Sequence, residues 1–572
     1  MWEIGERMGA RLVFAEHRYE PLSHPALCGK NTQKCFAYCT TAQALGDWVT
    51  LIGSLRAEHP SARAPVVAFG GSYGGMLAGW LRMRYPEVVD GAIAASAPIW
   101  QLAGTVRRET LDLPAVSITR GVSAAGGATD RCRDNLRYAW PLITEAAKAA
   151  DGLDVLSEGA RSCAPLPSAE ALLQWAQEPY FFLAEGNYPF PSTYITYSLQ
   201  PGDPPPLPAW PMRVACARGL DADLGIQVRP AHGEAPAVDY ELAMGELRVA
   251  VDWQRTTGNG ANLTRAQLHA AGVGVLARAV ADAAAVWYNL THDKTCNEIG
   301  RAPVRGRSAG LARSAPADPP PTAGRTAAHA TRVGGTAEWG KAGAAGTSPP
   351  VPGGNLCPSC PPCDDCPPCP VQYCNVSDTL ECSFSAPVSK TFSWDAVCCN
   401  EQLSQVMIQG VGRDLYWPPQ VPSRNYTVES VVGPRGLSAG GCEGEWSARG
   451  LRGAPVVTDR WSEWMQAYYG GRNVSIHRNI VWSNGALDPW SGQGVYPDGG
   501  GPDGPMVQAL NADGSQIALI LDLGAHHLDL MFSDKRNPPC FWQARRIEEE
   551  RIRTWCQEAY DLHAPPRAPH DA

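Results

Sequence analysis

The sequence predicts an α/β protein: a parallel sheet that starts near the N-terminus, is interrupted by a long helical insertion, and resumes near the C-terminus. Three observations carry this. Residues 1–100 alternate strand-like apolar runs with helical patterns, and such alternation implies parallel strands joined by crossover helices. From 101 to 300 Ala/Leu-rich helical patterns dominate and predict an inserted, mostly helical cap. From 393 to 572 strand and helix patterns alternate again and complete the sheet domain.

Taken in order, Met1–Met8 reads as an amphipathic helix entering a strand over Arg11–Ala15. "TTAQALGDWVTLIGSLRAEH" has apolar residues at helical spacing, with Thr40 and Thr41 as candidate caps. "APVVAFG" is a short buried strand, "GGMLAGWLRMRYP" a helix, and "VDGAIAASAPIW" holds another strand. In the cap, 265–291 gives the clearest helical pattern. Residues 301–392 form a low-complexity insertion. Its first part, to about 355, has almost no large apolar side chains and cannot offset its ordering entropy, so disorder is expected. "NIVWSNGALDPW" and "QIALILDLGAHH" each give a buried strand feeding a loop. A closing helix follows, with Phe541, Ile547, Ile552 and Trp555 as inward residues.

Composition excludes some classes. The chain has 572 residues, enough for two or three domains, and 57 acidic against 48 basic side chains, a net charge of -9. Mild acidity argues against nucleic acid as a partner. No run of eighteen apolar residues occurs, so no membrane span is expected. Nineteen cysteines, with Asn-x-Ser/Thr sequons at Asn262, Asn289, Asn375, Asn425 and Asn473, favour an oxidising, secretory route. The start carries neither the basic nor the apolar region of a signal peptide.

The chemistry centres on Gly70-Gly71-Ser72-Tyr73-Gly74, a G-x-S-x-G sequence between a strand and a helix. In a nucleophile elbow the serine occupies a strained turn where neighbouring side chains would strike strand or helix. Its hydroxyl then lies over a helix N-terminus, which favours developing negative charge. Serine needs a base and an orienting acid, expected in the chain order Ser, Asp or Glu, His. Asp488 follows one strand, and His526 and His527 follow the next. Spacing does not choose between the two histidines.

The blocks "FAEHRY", "TTAQALGDW", "AFGGSYGGMLAGWLRMRYPEVVDGAIAASAPIW", "NIVWSNGALDPWSGQGV" and "GAHHLDL" resemble the serine peptidase family of lysosomal Pro-X carboxypeptidase and dipeptidyl peptidase II. The likeness covers roughly residues 1–300 and 393–560. It implies an α/β-hydrolase core with a helical cap, and cleavage of peptides with proline near a terminus. It assigns Ser72 as nucleophile, Asp488 as orienting acid and His526 as base, with the Tyr73 N–H as an oxyanion donor. Met76 and Trp490 become apolar walls for a proline ring, and Glu401 a residue for a substrate terminus. It implies no cofactor, suggests a homodimer, and points to a lysosomal, vacuolar or secreted location. Trp394, Cys399 and Glu401 match the family's Trp-x-x-x-x-Cys-x-Glu block, which implies that Cys399 bonds a cap cysteine, Cys132 being the candidate, and that Cys163 pairs with Cys296. Spacing gives no connectivity of its own.

The sequence departs from the family in three places. The family has a signal peptide and several strands before its counterpart of "MWEIGERMGARLVFAEHRY", so a missing N-terminal part is expected. That part would supply a second oxyanion donor, whose loss costs on the order of 10²–10³ in turnover. Glu20 and Pro21 stand where the family has tyrosine and glycine. Cys357, Cys360, Cys363, Cys366 and Cys369 recur every third residue between prolines, which favours an extended polyproline-like linker over a metal site. An esterase or lipase on the same fold, and a catalytically impaired secreted glycoprotein, are the competing readings.

Overall fold

Apolar strand runs and helical runs assemble into a parallel sheet flanked by helices. The computed structural model describes residues 1–18, 38–58, 64–101, 107, 110–196, 204–224, 227–229, 248–250, 263–300, 397, 414–416, 466–498 and 500–563. The expected insertion at 301–392, the loop at 19–37, and Trp394, Cys399 and Glu401 lie outside these residues.

The strands are β1 (Val67–Gly71), β2 (Gly91–Ala95), the short β3 (Gln227–Arg229) and β4 (Arg248–Ala250), β5 (Ile480–Gly485), β6 (Val507–Ala509) and β7 (Gln516–Leu521). Five form one sheet in the order β1-β2-β5-β7-β6, and β3 and β4 pair separately. β1, β2, β5 and β7 run parallel, with Gly71 beside Ala95 and Ala95 beside Ser483. The carboxyl ends of these strands therefore share one edge. β6 adds antiparallel to β7. β2, β5 and β7 are buried along their full length while β1 is half-buried. Central strands covered on both faces must be apolar throughout, which is why these runs do not alternate with polar residues.

Helices α1 (Trp2–Met8), α2 (Thr41–Glu58) and α3 (Tyr73–Arg84) precede β2. α3 lays Met76, Leu77, Trp80 and Leu81 on one sheet face, in a cluster that includes Trp482 and Ile480. Between β2 and β5 stands a helical block: α4 (Leu113–Gly121), α5 (Asp130–Ala146), α6 (Gly152–Gly159), α7 (Ala169–Gln177), α8 (Pro179–Glu185), α9 (Pro211–Ala215), α10 (Arg265–Ala270) and α11 (Val273–Tyr288). It owns a separate core, with Trp140, Tyr180, Leu156 and Leu172 fully buried. The last helix, α12 (Pro539–His563), covers the other sheet face with Phe541, Ile552 and Trp555, each at most 3% exposed; Ile547 is half-buried. Side chains of this size contribute about 1.5–3 kcal/mol each when fully buried. Among the described residues no helix is long and apolar enough to cross a membrane.

Two expectations are corrected. Residues 11–15 do not form a strand. Gly9, at φ 61°, caps α1, and beyond it Phe14 stacks on Trp2 at 4.9 Å and is 60% exposed. An apolar run becomes a strand only where a neighbour completes its ladder. Cys132 bonds Cys216, so it is not the partner of Cys399; α5 begins beside the end of α9, and the two Cα atoms lie 5.5 Å apart. Cys163 does bond Cys296.

Candidate active site

The turn after β1 explains its glycines. Ser72 has φ 59° and ψ -127°, a conformation that costs a residue with a Cβ about 1–3 kcal/mol. Two backbone bonds hold it: its N–H donates to the Ala95 carbonyl at 2.9 Å, and its carbonyl accepts the Met76 N–H at 3.0 Å. A Cβ on Gly70 would fall 1.9 Å from the Gly74 carbonyl oxygen, so only glycine allows helix and strand to approach this closely. Ser72 sits at the sheet edge immediately before α3, whose first residue is Tyr73. The Tyr73 hydroxyl lies 3.2 Å from His17 Nε2.

The loops after β5 and β7 are tied together. The Ala486 N–H donates to the Leu521 carbonyl and the Leu487 N–H to the Gly524 carbonyl, each at 2.9 Å. This brings Asp488 to His526: His526 Nδ1–H donates to Asp488 Oδ2 at 3.0 Å, and both side chains are at most 1% exposed. The other carboxylate oxygen of Asp488 accepts the Trp490 N–H at 3.0 Å. Burial acts to lower the His526 pKa, but the charge and hydrogen bond of Asp488, aided by Glu185, carry it above the ordinary imidazole value. His526 Nε2 has no hydrogen-bond partner among the described residues, Ser72 included.

His527 is held differently. Its N–H donates to Ser96 Oγ at 2.7 Å, and its Nε2 meets the Tyr194 hydroxyl at 2.8 Å. Burial, then the charge of His526, push its pKa well below the usual value. A Cβ on Gly71 would lie 2.7 Å from His527 Cδ2, so this ring packs directly on the residue before Ser72. The structure thus brings Ser72, Asp488 and His526 to one edge, joins the last two, and commits His527 to packing.

Residues 1–216 match the family described as Serine carboxypeptidase S28. The likeness extends beyond them: the chain is 26% identical over 565 residues to lysosomal Pro-X carboxypeptidase of Bos taurus, covering 98% of this chain and 77% of that protein. These matches support the serine carboxypeptidase S28 family for this chain. The human lysosomal Pro-X carboxypeptidase is likewise 26% identical over 567 residues, with 98% of this chain and 78% of that protein covered. Prolyl carboxy peptidase like protein 5 of Caenorhabditis elegans is 31% identical over 226 residues, 38% of this chain and 41% of that protein. The same likeness, with the parallel sheet and its flanking helices, supports a serine peptidase with an α/β-hydrolase fold.

Met76 lies one turn beyond Ser72 and is 3% exposed within the cluster on the α3 face. Trp490 stands beside the histidine, with ring centroids 6.3 Å apart, and takes the edge of Phe181 at 5.6 Å. The sequence gives no hint of Glu185, the last residue of α8. Its carboxylate accepts Trp490 Nε1–H at 2.9 Å and lies 3.8 Å from His526 Nε2. Burial drives its pKa up, opposed by His526 and the Trp490 bond. Two more residues of this segment reach the loop: the Tyr188 hydroxyl donates to the His526 carbonyl at 2.9 Å, and Tyr194 meets His527. Only the docking of the helical block on the sheet edge makes Glu185 part of the site. Among the described residues the one group with metal-ligand spacing is Cys132, Cys216 and Asp221, whose sulfurs are bonded to each other.

Proposed function

We propose that this chain is a proline-directed serine exopeptidase working through Ser72, His526 and Asp488. The observation that carries the reading is the Asp488–His526 hydrogen bond, which leaves Nε2 without a hydrogen-bond partner among the described residues, on the edge where the elbow presents Ser72. His526 Nε2 takes the Ser72 proton as Oγ attacks the carbonyl of a prolyl residue. Asp488 fixes the Nδ1–H tautomer and stabilises the imidazolium. The backbone N–H of Tyr73, at the start of α3, donates to the oxyanion. His526 then protonates the leaving amine, and water releases the acyl-enzyme by the reverse transfers. The scheme needs no cofactor.

Trp490 and Met76 are the apolar walls assigned to the proline ring, since a pyrrolidine packs well on an indole face and a thioether. Glu401 is retained as a residue for a substrate terminus. The name of the bovine and human relatives supports a lysosomal setting, and the two cap disulfides suit an oxidising route.

The test is turnover of Xaa-Pro and Pro-Xaa reporter peptides beside short acyl esters. Ser72→Ala lowers peptide turnover by at least about 10³-fold and abolishes labelling by a fluorophosphonate. Ester hydrolysis without cleavage at proline refutes the assignment in favour of an esterase; an unreactive Ser72 refutes catalysis.

A further inference from the structure

Glu185 is a carboxylate in the site that the Ser-His-Asp scheme does not use. Its side chain is 15% exposed, and among the described residues its ion-pair partner is His526, at 3.8 Å. Trp490 Nε1–H holds one of its oxygens at 2.9 Å, which fixes the carboxylate against the wall assigned to proline. The charges that act on it are His526 and Asp488. Those that act on His526 are Asp488, Glu185 and Asp529, and those on Tyr194 are Glu185 and Asp488. Among the described residues the charges around His526 are therefore mostly acidic, and its own imidazolium must lose its proton for it to serve as base. Such a field attracts an ammonium and repels a carboxylate.

Reach agrees with charge. In attack, Nε2 stands about 3 Å from the serine oxygen. The Glu185 carboxylate then lies within about 7 Å of the reacting carbonyl, close to the length of two extended residues. That is where the free amine of an Xaa-Pro acyl group falls.

Resting on the proline-exopeptidase reading, we propose that Glu185 binds the free α-ammonium of the substrate, so that the enzyme releases N-terminal Xaa-Pro dipeptides. In this structure the carboxylate faces His526. The incoming ammonium takes the place of the imidazolium as its partner and leaves the imidazole neutral and free to accept the serine proton. The buried acid, costly while it lacks a cation, gains one on binding.

One peptide with proline at both penultimate positions tests this in three forms: unmodified, N-acetylated and C-amidated, with products read by mass spectrometry. The wild type is expected to release the N-terminal dipeptide from the free and amidated forms, and to process the acetylated form about 30-fold less efficiently or worse. Glu185→Gln erases that discrimination, raising KM more than it lowers kcat, and Glu185→Asp restores part of it. Loss of the C-terminal residue from the acetylated peptide at the rate of the free one, with amidation blocking cleavage, overturns the proposal while leaving the proline exopeptidase intact. No cleavage of any form by protein whose Ser72 reacts with a fluorophosphonate overturns both.

Discussion

At the scale of single residues, two adjacent histidines are held in opposite ways. His526 bonds a buried acid and offers Nε2; His527 has its ring between Tyr194 and Gly71. His526→Gln is expected to remove at least about 10³ in kcat with little change in thermal inactivation. His527→Gln instead lowers stability by about 1–3 kcal/mol, because a buried hydrogen bond and the packing beneath the elbow are lost together. Comparing kcat with the inactivation midpoint for both variants checks this. The same geometry sets a pH dependence. Asp488, Glu185 and Asp529 favour the proton on His526, so its neutral form emerges above the ordinary imidazole range. The acid limb of kcat/KM should lie above about 6.5. Glu185→Gln takes one acid away and moves that limb to lower pH.

At the scale of elements, the segment from α8 to Tyr194 clasps the loop that carries His526. The His526 N–H donates to the Glu185 carbonyl at 3.3 Å and the Tyr188 hydroxyl donates to the His526 carbonyl. The helical block is thus part of what positions this histidine. Two disulfides among its described residues join positions 84 and 133 apart in the chain. Cross-links of that span stabilise by about 2–5 kcal/mol through the unfolded chain. Cys163→Ser with Cys296→Ser should lower the temperature of inactivation while leaving kcat at 25 °C nearly unchanged, read by residual-activity assays after heating.

At the scale of the whole molecule, acid is buried where the last helix meets the sheet. Glu548 of α12 is fully buried beside Asp529, whose Oδ2 accepts Ser483 Oγ–H at 2.7 Å. Neither oxygen of an ionised Glu548 has a donor among the described residues, but a protonated one donates to Asp529. Burial, then the Asp529 charge, raise the Glu548 pKa well above its usual value. The folded state then holds a proton that the unfolded state releases near pH 4.5. This stability is complete below that pH and is lost, at up to about 1.4 kcal/mol per unit, as pH rises towards the folded value. Glu548→Gln should flatten the decline and gain stability near neutral pH, as denaturation at about pH 4 and about pH 7.5 will show.

The chain itself determined the strands and the elbow. Short apolar runs with glycine at their ends read as buried strands feeding tight turns, and the order Ser72, Asp488 and then the pair His526 and His527 follows from which strand each one ends. Arg11–Ala15 shows the boundary of that reasoning, since a run of strand-forming residues has no ladder until a neighbour supplies one. Tertiary structure alone gave His526 rather than His527 the hydrogen bond to Asp488, paired Cys132 with Cys216, and carried Glu185 from a helix end to within 3.8 Å of His526. Each of these depends on contacts between segments far apart in the chain, and such contacts leave no periodicity in the sequence.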